Sequence, residues 1–139
     1  MKKTFLTGLA LLLVVGVATG CGCKKKDKNK NEDKPKETYN TNENVIKDQE
    51  VEGLKLTNTS LVSTEHGATL VTSVTNPTKE DKKVRIFYIH VKDKNGDEIV
   101  KLTGYVGGVV PAGQTRDITS NVDRNLDNAA SIEYELVED

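Results

Sequence analysis

Two thiols, two imidazoles, one run of carboxylates and one run of glycines are the groups in this chain whose type and spacing invite chemistry. Cys21 and Cys23 are the only cysteines and stand one residue apart, so no disulfide can staple the residues that follow. Their use has to be sought where they sit, directly after the small residues Ala18, Thr19 and Gly20. A thiol is a soft nucleophile that accepts an alkyl group, and small side chains ahead of it let an extended backbone enter a peptidase cleft.

The remaining candidates read more plainly. Asp93, Asn95, Asp97 and Glu98 place oxygen ligands around Gly96, as a calcium loop does, but the twelfth position that should carry a bidentate Glu is Gly104. A hairpin turn at Asn95-Gly96 is the reading that backbone geometry asks for. His66 and His90 have no His or Cys partner at ligand spacing, and no Ser lies in an elbow or triad setting. Gly104, Gly107 and Gly108 lack the Lys-Ser/Thr ending and the following helix of a phosphate loop, so a bulge or bend is expected. Asn58-Thr59-Ser60 fits an N-glycan acceptor only formally. The expectation is a chain with no cofactor, no metal and no enzymatic activity.

The elements that must position these groups begin with an export signal. Lys2 and Lys3 form a basic start, Phe5 to Ala18 is apolar apart from Thr7 and two glycines, and the run ends in Val17-Ala18-Thr19-Gly20-Cys21. That ending resembles the bacterial lipobox. The resemblance implies a signal peptide over residues 1–20, cleavage after Gly20, a diacylglycerol on Cys21, and a mature protein held by lipid on the extracytoplasmic face of the cell membrane. Two other readings stand beside it. The uncharged run from Thr4 to Cys23 matches the roughly 20 residues of a membrane-spanning signal anchor. Lipidation at Cys23 would put Gly20, Cys21 and Gly22 before the cut, a poorer fit.

Residues 21–50 read as a charged, disordered linker: Lys, Asn, Asp, Glu and Thr dominate, and Tyr39, Val45 and Ile46 are the only large apolar residues. As a flexible coil the segment would span about 30 Å. Lys24, Lys25, Lys26, Lys28 and Lys30 can meet anionic head groups or wall polymers at about 1 kcal/mol each, although charge runs are usually only solvated.

From Val51 to Asp139 the pattern is one of short strands broken by turn signals about every ten residues, which predicts an all-β, immunoglobulin-like antiparallel sandwich of about six to seven strands. Strands are expected from Leu54 toward Leu61, over Ala68–Thr75, Lys83–Lys92, Glu98–Val106, Gln114–Val122 and Ser131–Val137, with an irregular crossover at Asp123–Ala129. Phe87, Ile89 and Val91 share one face, and so do Ile132, Tyr134 and Leu136. The middle of this domain resembles the FxLYD family of sandwich modules of bacterial surface lipoproteins. The likeness lies in Thr75-Asn76-Pro77, Asp93, Asn95-Gly96 and Val110-Pro111-Ala112-Gly113-Gln114-Thr115, while Ile89, Val91 and Lys92 stand where the family's namesake residues would be. It implies a fold and no catalytic residues.

The domain carries ten Lys and Arg against fourteen Asp and Glu, has no Trp and few aromatics, and so lacks the basic, base-stacking footprint of a nucleic-acid binder. Two classes of function remain: a surface module that binds a wall polymer, a partner protein or a host ligand, and a structural accessory subunit of a membrane or cell-wall complex. Tyr88, Tyr105 and Val106 are the expected exposed binding surface.

Overall fold

Alternation of apolar and polar side chains along the chain is the signature of strands with one face on a core, and it recurs through residues 34–138, which the computed structural model describes. In chain order the elements are β1 (Thr38–Tyr39), α1 (Glu43–Ile46), β2 (Gln49–Val51), β3 (Leu54–Ser63), β4 (Ala68–Thr75), β5 (Lys82–Val84), β6 (Ile86–Lys92), β7 (Glu98–Gly104), β8 (Gly108–Val110), β9 (Thr115–Val122) and β10 (Ser131–Val137). They form an all-β sandwich. One sheet runs β1-β3-β4-β9 with β2 also on β3, the other runs β10-β6-β7, and β5-β8 is a separate ribbon. Every pairing is antiparallel. In immunoglobulin lettering β3-β4-β9 corresponds to A-B-E and β10-β6-β7 to F-C-C′.

The inner faces meet in a single apolar cluster. Leu54, Leu56, Leu61, Leu70, Val74 and Ile118 come from one sheet, and Phe87, Ile89, Val91, Ile132, Tyr134 and Leu136 from the other. Burial of the Phe87 and Ile132 rows is as the alternation predicts. In β3 the inward phase switches from Leu54 and Leu56 to Thr59 and Leu61, because Asn58 adopts φ +54° and the register slips between Thr57 and Ser60. This bulge turns Thr59 into the core, where its hydroxyl meets Thr72 Oγ1 at 2.8 Å and Tyr134 OH at 3.2 Å.

The edges of the two sheets are covered in different ways. Between β7 and β9, Ser120 Oγ donates to the Thr103 carbonyl at 2.9 Å. There Gly104 lies so close to Ile118 that a Cβ would sit 2.5 Å from its Cγ2. On the opposite side, α1 packs against β3 and β10, Val45 is fully buried, and Gln49 Nε2 donates to the edge carbonyl of Ile132 at 2.8 Å. An uncovered strand edge is a template for unwanted pairing, and this segment blunts it.

That cover corrects the expected linker. Residues 38–50 belong to the fold, held by the Asn42 cap on Asn44 N, by burial of Val45 and by pairing of β1 and β2 with β3. The expected signal peptide, Cys21 and the linker up to residue 33 lie outside the described residues. The single strand expected over Lys83–Lys92 is two: β5 pairs with β8, an unexpected strand, and at the break Arg85 N donates to the Val137 carbonyl.

Candidate functional site

His90 stands on the outer face of β6, the central strand of its sheet, so side chains of β7 and β10 flank it on both sides. Its Nδ1 lies 2.5 Å from Glu98 Oε2 and its Nε2 lies 3.2 Å from Glu135 Oε2. A neutral imidazole carries one N–H, so hydrogen bonds to carboxylates at both nitrogens require the protonated ring. The hydrogen bond to Glu98 is the main cause raising the His90 pKa above its ordinary value; desolvation and Lys101 oppose it, and Glu135 adds to it. The two carboxylates lie at opposite edges of the ring and do not converge. Among the described residues no three His, Cys, Asp or Glu side chains are grouped to hold a metal.

The rest of this face is paired as well. Lys92 Nζ lies 2.6 Å from Glu133 Oε2, and the Glu133 carboxyl is held below its usual range by that bond. Lys101 Nζ sits 3.7 Å from the centre of the Tyr88 ring, a cation–π contact. Tyr88 is thus half-buried under a lysine rather than offered to a partner.

Of the expected binding surface, Tyr105 is the residue that stands free, at 66% exposure. Val106 is a correction: it is buried and packs in the core, because Leu102, Gly104 and Val106 continue the inward alternation of β7 while Tyr105 points out. Gly107 and Gly108 both adopt positive φ and turn the chain into β8, in keeping with the expected bend.

The carboxylate run is a hairpin. Asp93 N donates to the Asp97 carbonyl, Gly96 N donates to the Asp93 carbonyl, and Asp93 Oδ1 accepts from Asn95 N and Asp97 N. Gly96 takes φ +85°, which makes the turn a three-residue loop with a glycine bulge rather than a two-residue one. His66 is exposed beside Glu65.

Sequence reasoning missed two residues that the structure brings forward. Asn76, read only as part of a strand stop, is fully buried. Its Nδ2 donates to the Glu80 and Val110 carbonyls and its Oδ1 accepts from Thr78, so it clips the β4–β5 loop to β8. Tyr39, assigned to the linker, lies on β1 opposite Val62 and is 61% exposed. A cleft of 390 Å³ opens on one side of it, lined by Thr38, Thr41, Asn42 and Asp127 among others. A second, of 290 Å³, also borders it, against Glu37, Val62 and Thr69. Tyr39 OH donates to Glu37 Oε2 at 3.1 Å. The floor is pinned by Asn40, whose Nδ2 donates to the Ala129 carbonyl and whose Oδ1 accepts from Asn42 N. No periodic signal marks Tyr39 in the sequence, because β1 is two residues long.

Tyr39 and Tyr105 belong to different sheets. β1 pairs with the Ser63 end of β3, whereas Tyr105 follows Gly104, which pairs with Phe87 near the start of β6.

A scan against protein-family models, a search of curated proteins and a search of solved structures each return no match. The resemblance to FxLYD modules therefore rests on the residues quoted for it alone.

Proposed function

We propose that the chain is a membrane-anchored extracytoplasmic lipoprotein that presents a non-catalytic β-sandwich binding module at the cell surface. The observation that carries this reading is the sequence Val17-Ala18-Thr19-Gly20-Cys21, closing an apolar run behind Lys2 and Lys3. Cleavage after Gly20 leaves Cys21 as the first residue with lipid on its thiol. Two or more acyl chains, at about 0.8 kcal/mol per buried CH₂, cross the threshold from reversible to stable anchoring. The segment after Cys21 then acts as a hydrated spacer between bilayer and sandwich. The binding half of the proposal is supported by the pattern of exposure: the ionic outer face of β6 is internally paired, while the rings of Tyr39 and Tyr105 are left for a partner.

Membrane fractionation of Cys21→Ala is the test. The substitution removes the lipid acceptor, so the protein should accumulate as uncleaved precursor or appear in the medium. A mature-sized, membrane-bound Cys21→Ala chain, together with loss of Cys23→Ala from the membrane, would move the lipid to Cys23.

A further inference from the structure

We infer that the surface around Tyr39 is a saccharide-binding site that takes a short uncharged or amino-sugar segment of a wall glycan. The inference depends on the proposed function for where such a ligand is met, and on the geometry of the site for its chemistry. An aromatic ring exposed to 61% and bordering two clefts offers a flat apolar platform whose ordering costs little, since Tyr has only two side-chain torsions. The C–H face of a pyranose is the natural complement of such a ring.

The cleft walls select a polyhydroxylated partner over an apolar one. Thr38 and Thr41 hydroxyls and the Asn42 Nδ2 make no hydrogen bond to another described residue, and Asp127 keeps one carboxylate oxygen beyond its contact with Asn125. An apolar ligand would cover these groups and offer them no hydrogen-bond partner. Hydroxyls of a sugar can both donate to Asp127 and accept from Asn42. Charge narrows the class further. The ionised groups that line the two clefts are Glu37 and Asp127, both acidic, which disfavours phosphate polymers and other polyanions inside them. A peptide adding as a strand would need a long open edge, and β1 is two residues long.

The platform is also held in place before any ligand arrives. Asn40 fixes the cleft floor to Ala129, Asn42 caps α1, and Val45 buries that helix in the core. Sites built on such fixed elements lose less on binding.

The test is an NMR titration of the full chain, solubilised in detergent, with a β-1,4-linked N-acetylglucosamine tetrasaccharide and, separately, with polyglycerol phosphate. The expected result is a set of shifts confined to residues 37–42, 64–69 and 125–129 with the tetrasaccharide. Tyr39→Ala should weaken binding about tenfold, the order of a lost aromatic stack, while Tyr39→Phe retains it. Absence of shifts, stronger binding of polyglycerol phosphate, or loss with Tyr105→Ala but not with Tyr39→Ala would overturn the inference. The anchor is tested apart from the site: a chain that fractionates with membranes through Cys21 yet ignores the tetrasaccharide keeps the proposed function and loses this one.

Discussion

Thr59 on β3 and Tyr134 on β10 meet across the sandwich, hydroxyl to hydroxyl at 3.2 Å, with Thr72 closing the group at 2.8 Å from Thr59. The three hydroxyls can pass donors along a chain that ends where Thr72 Oγ1 donates to the Thr57 carbonyl at 3.3 Å, so these groups enter an apolar core without leaving an orphan. No buried side-chain polar atom among the described residues lacks a partner. Burial raises the Tyr134 pKa, with the threonine hydroxyls opposing, so the phenol stays a neutral donor.

The arrangement makes Thr59 the hub and Tyr134 a spoke. Tyr134→Phe removes one spoke and should cost about 0.5–1.5 kcal/mol in urea unfolding. Thr59→Val keeps the shape but leaves the phenol unsatisfied, and should cost about 1–3 kcal/mol. A larger loss for Tyr134→Phe than for Thr59→Val would show that the hub is misplaced.

His90 should make stability depend on pH. Its folded pKa is raised, chiefly by Glu98, so its contribution is fully present below the ordinary histidine value near 6.5 and is lost as pH rises through the higher folded value. Glu98, Glu135 and Lys101 face the ring on the same sheet, and Lys92 and Glu133 lie beside them. The exposed carboxylates limit the effect to about 1 kcal/mol or less. Urea midpoints measured on either side of that window should fall toward alkaline pH in the native chain and lose this component in His90→Gln. An equal alkaline loss in both would remove His90 from the account.

Gly104 and Ile118 should be coupled. Gly104→Ala drives a Cβ to 2.5 Å from Ile118 Cγ2 and should destabilise by about 1–3 kcal/mol. Ile118→Ala removes the clashing atoms at its own cost, so the double variant should be more stable than the sum of the single losses implies. Simple additivity in a double-mutant cycle would mean that the β7–β9 corner relaxes around the new methyl.

The segment before Val51 should stabilise the sandwich. A fragment beginning at Val51 loses Val45 from the core and Gln49 from the Ile132 edge, so it should unfold at lower urea than one beginning at Lys34. Val45→Ala in the whole chain should cost about 1.5–3 kcal/mol. Equal midpoints for the two fragments would restore the linker boundary at residue 50.

These cases show where the fold is legible in the residues. β4 and β10 are read to the residue because their alternation is unbroken from Ala68 to Thr75 and from Ser131 to Val137. The β3 bulge is implied too, since Leu56 and Leu61 differ by an odd number and can share a face only if one extra residue intervenes. Val106 was equally readable, two steps beyond Gly104 on the inward phase. The cover over β10 is different in kind. It depends on one buried valine and on side chains such as Asn40 and Gln49 reaching backbone carbonyls of residues 89 and 83 positions away, contacts that leave no local period. The clefts beside Tyr39 exist only because that cover folds back, so the site is as hidden in sequence as the segment that builds it.

Mass spectrometry of the N-terminal peptide from protein extracted out of the membrane tests the central claim most directly. A peptide that starts at Cys21 and carries the mass of a diacylglycerol on that residue is the expected result. A peptide that starts upstream of Cys21, or an unmodified Cys21 in membrane-bound protein, would contradict the lipoprotein account.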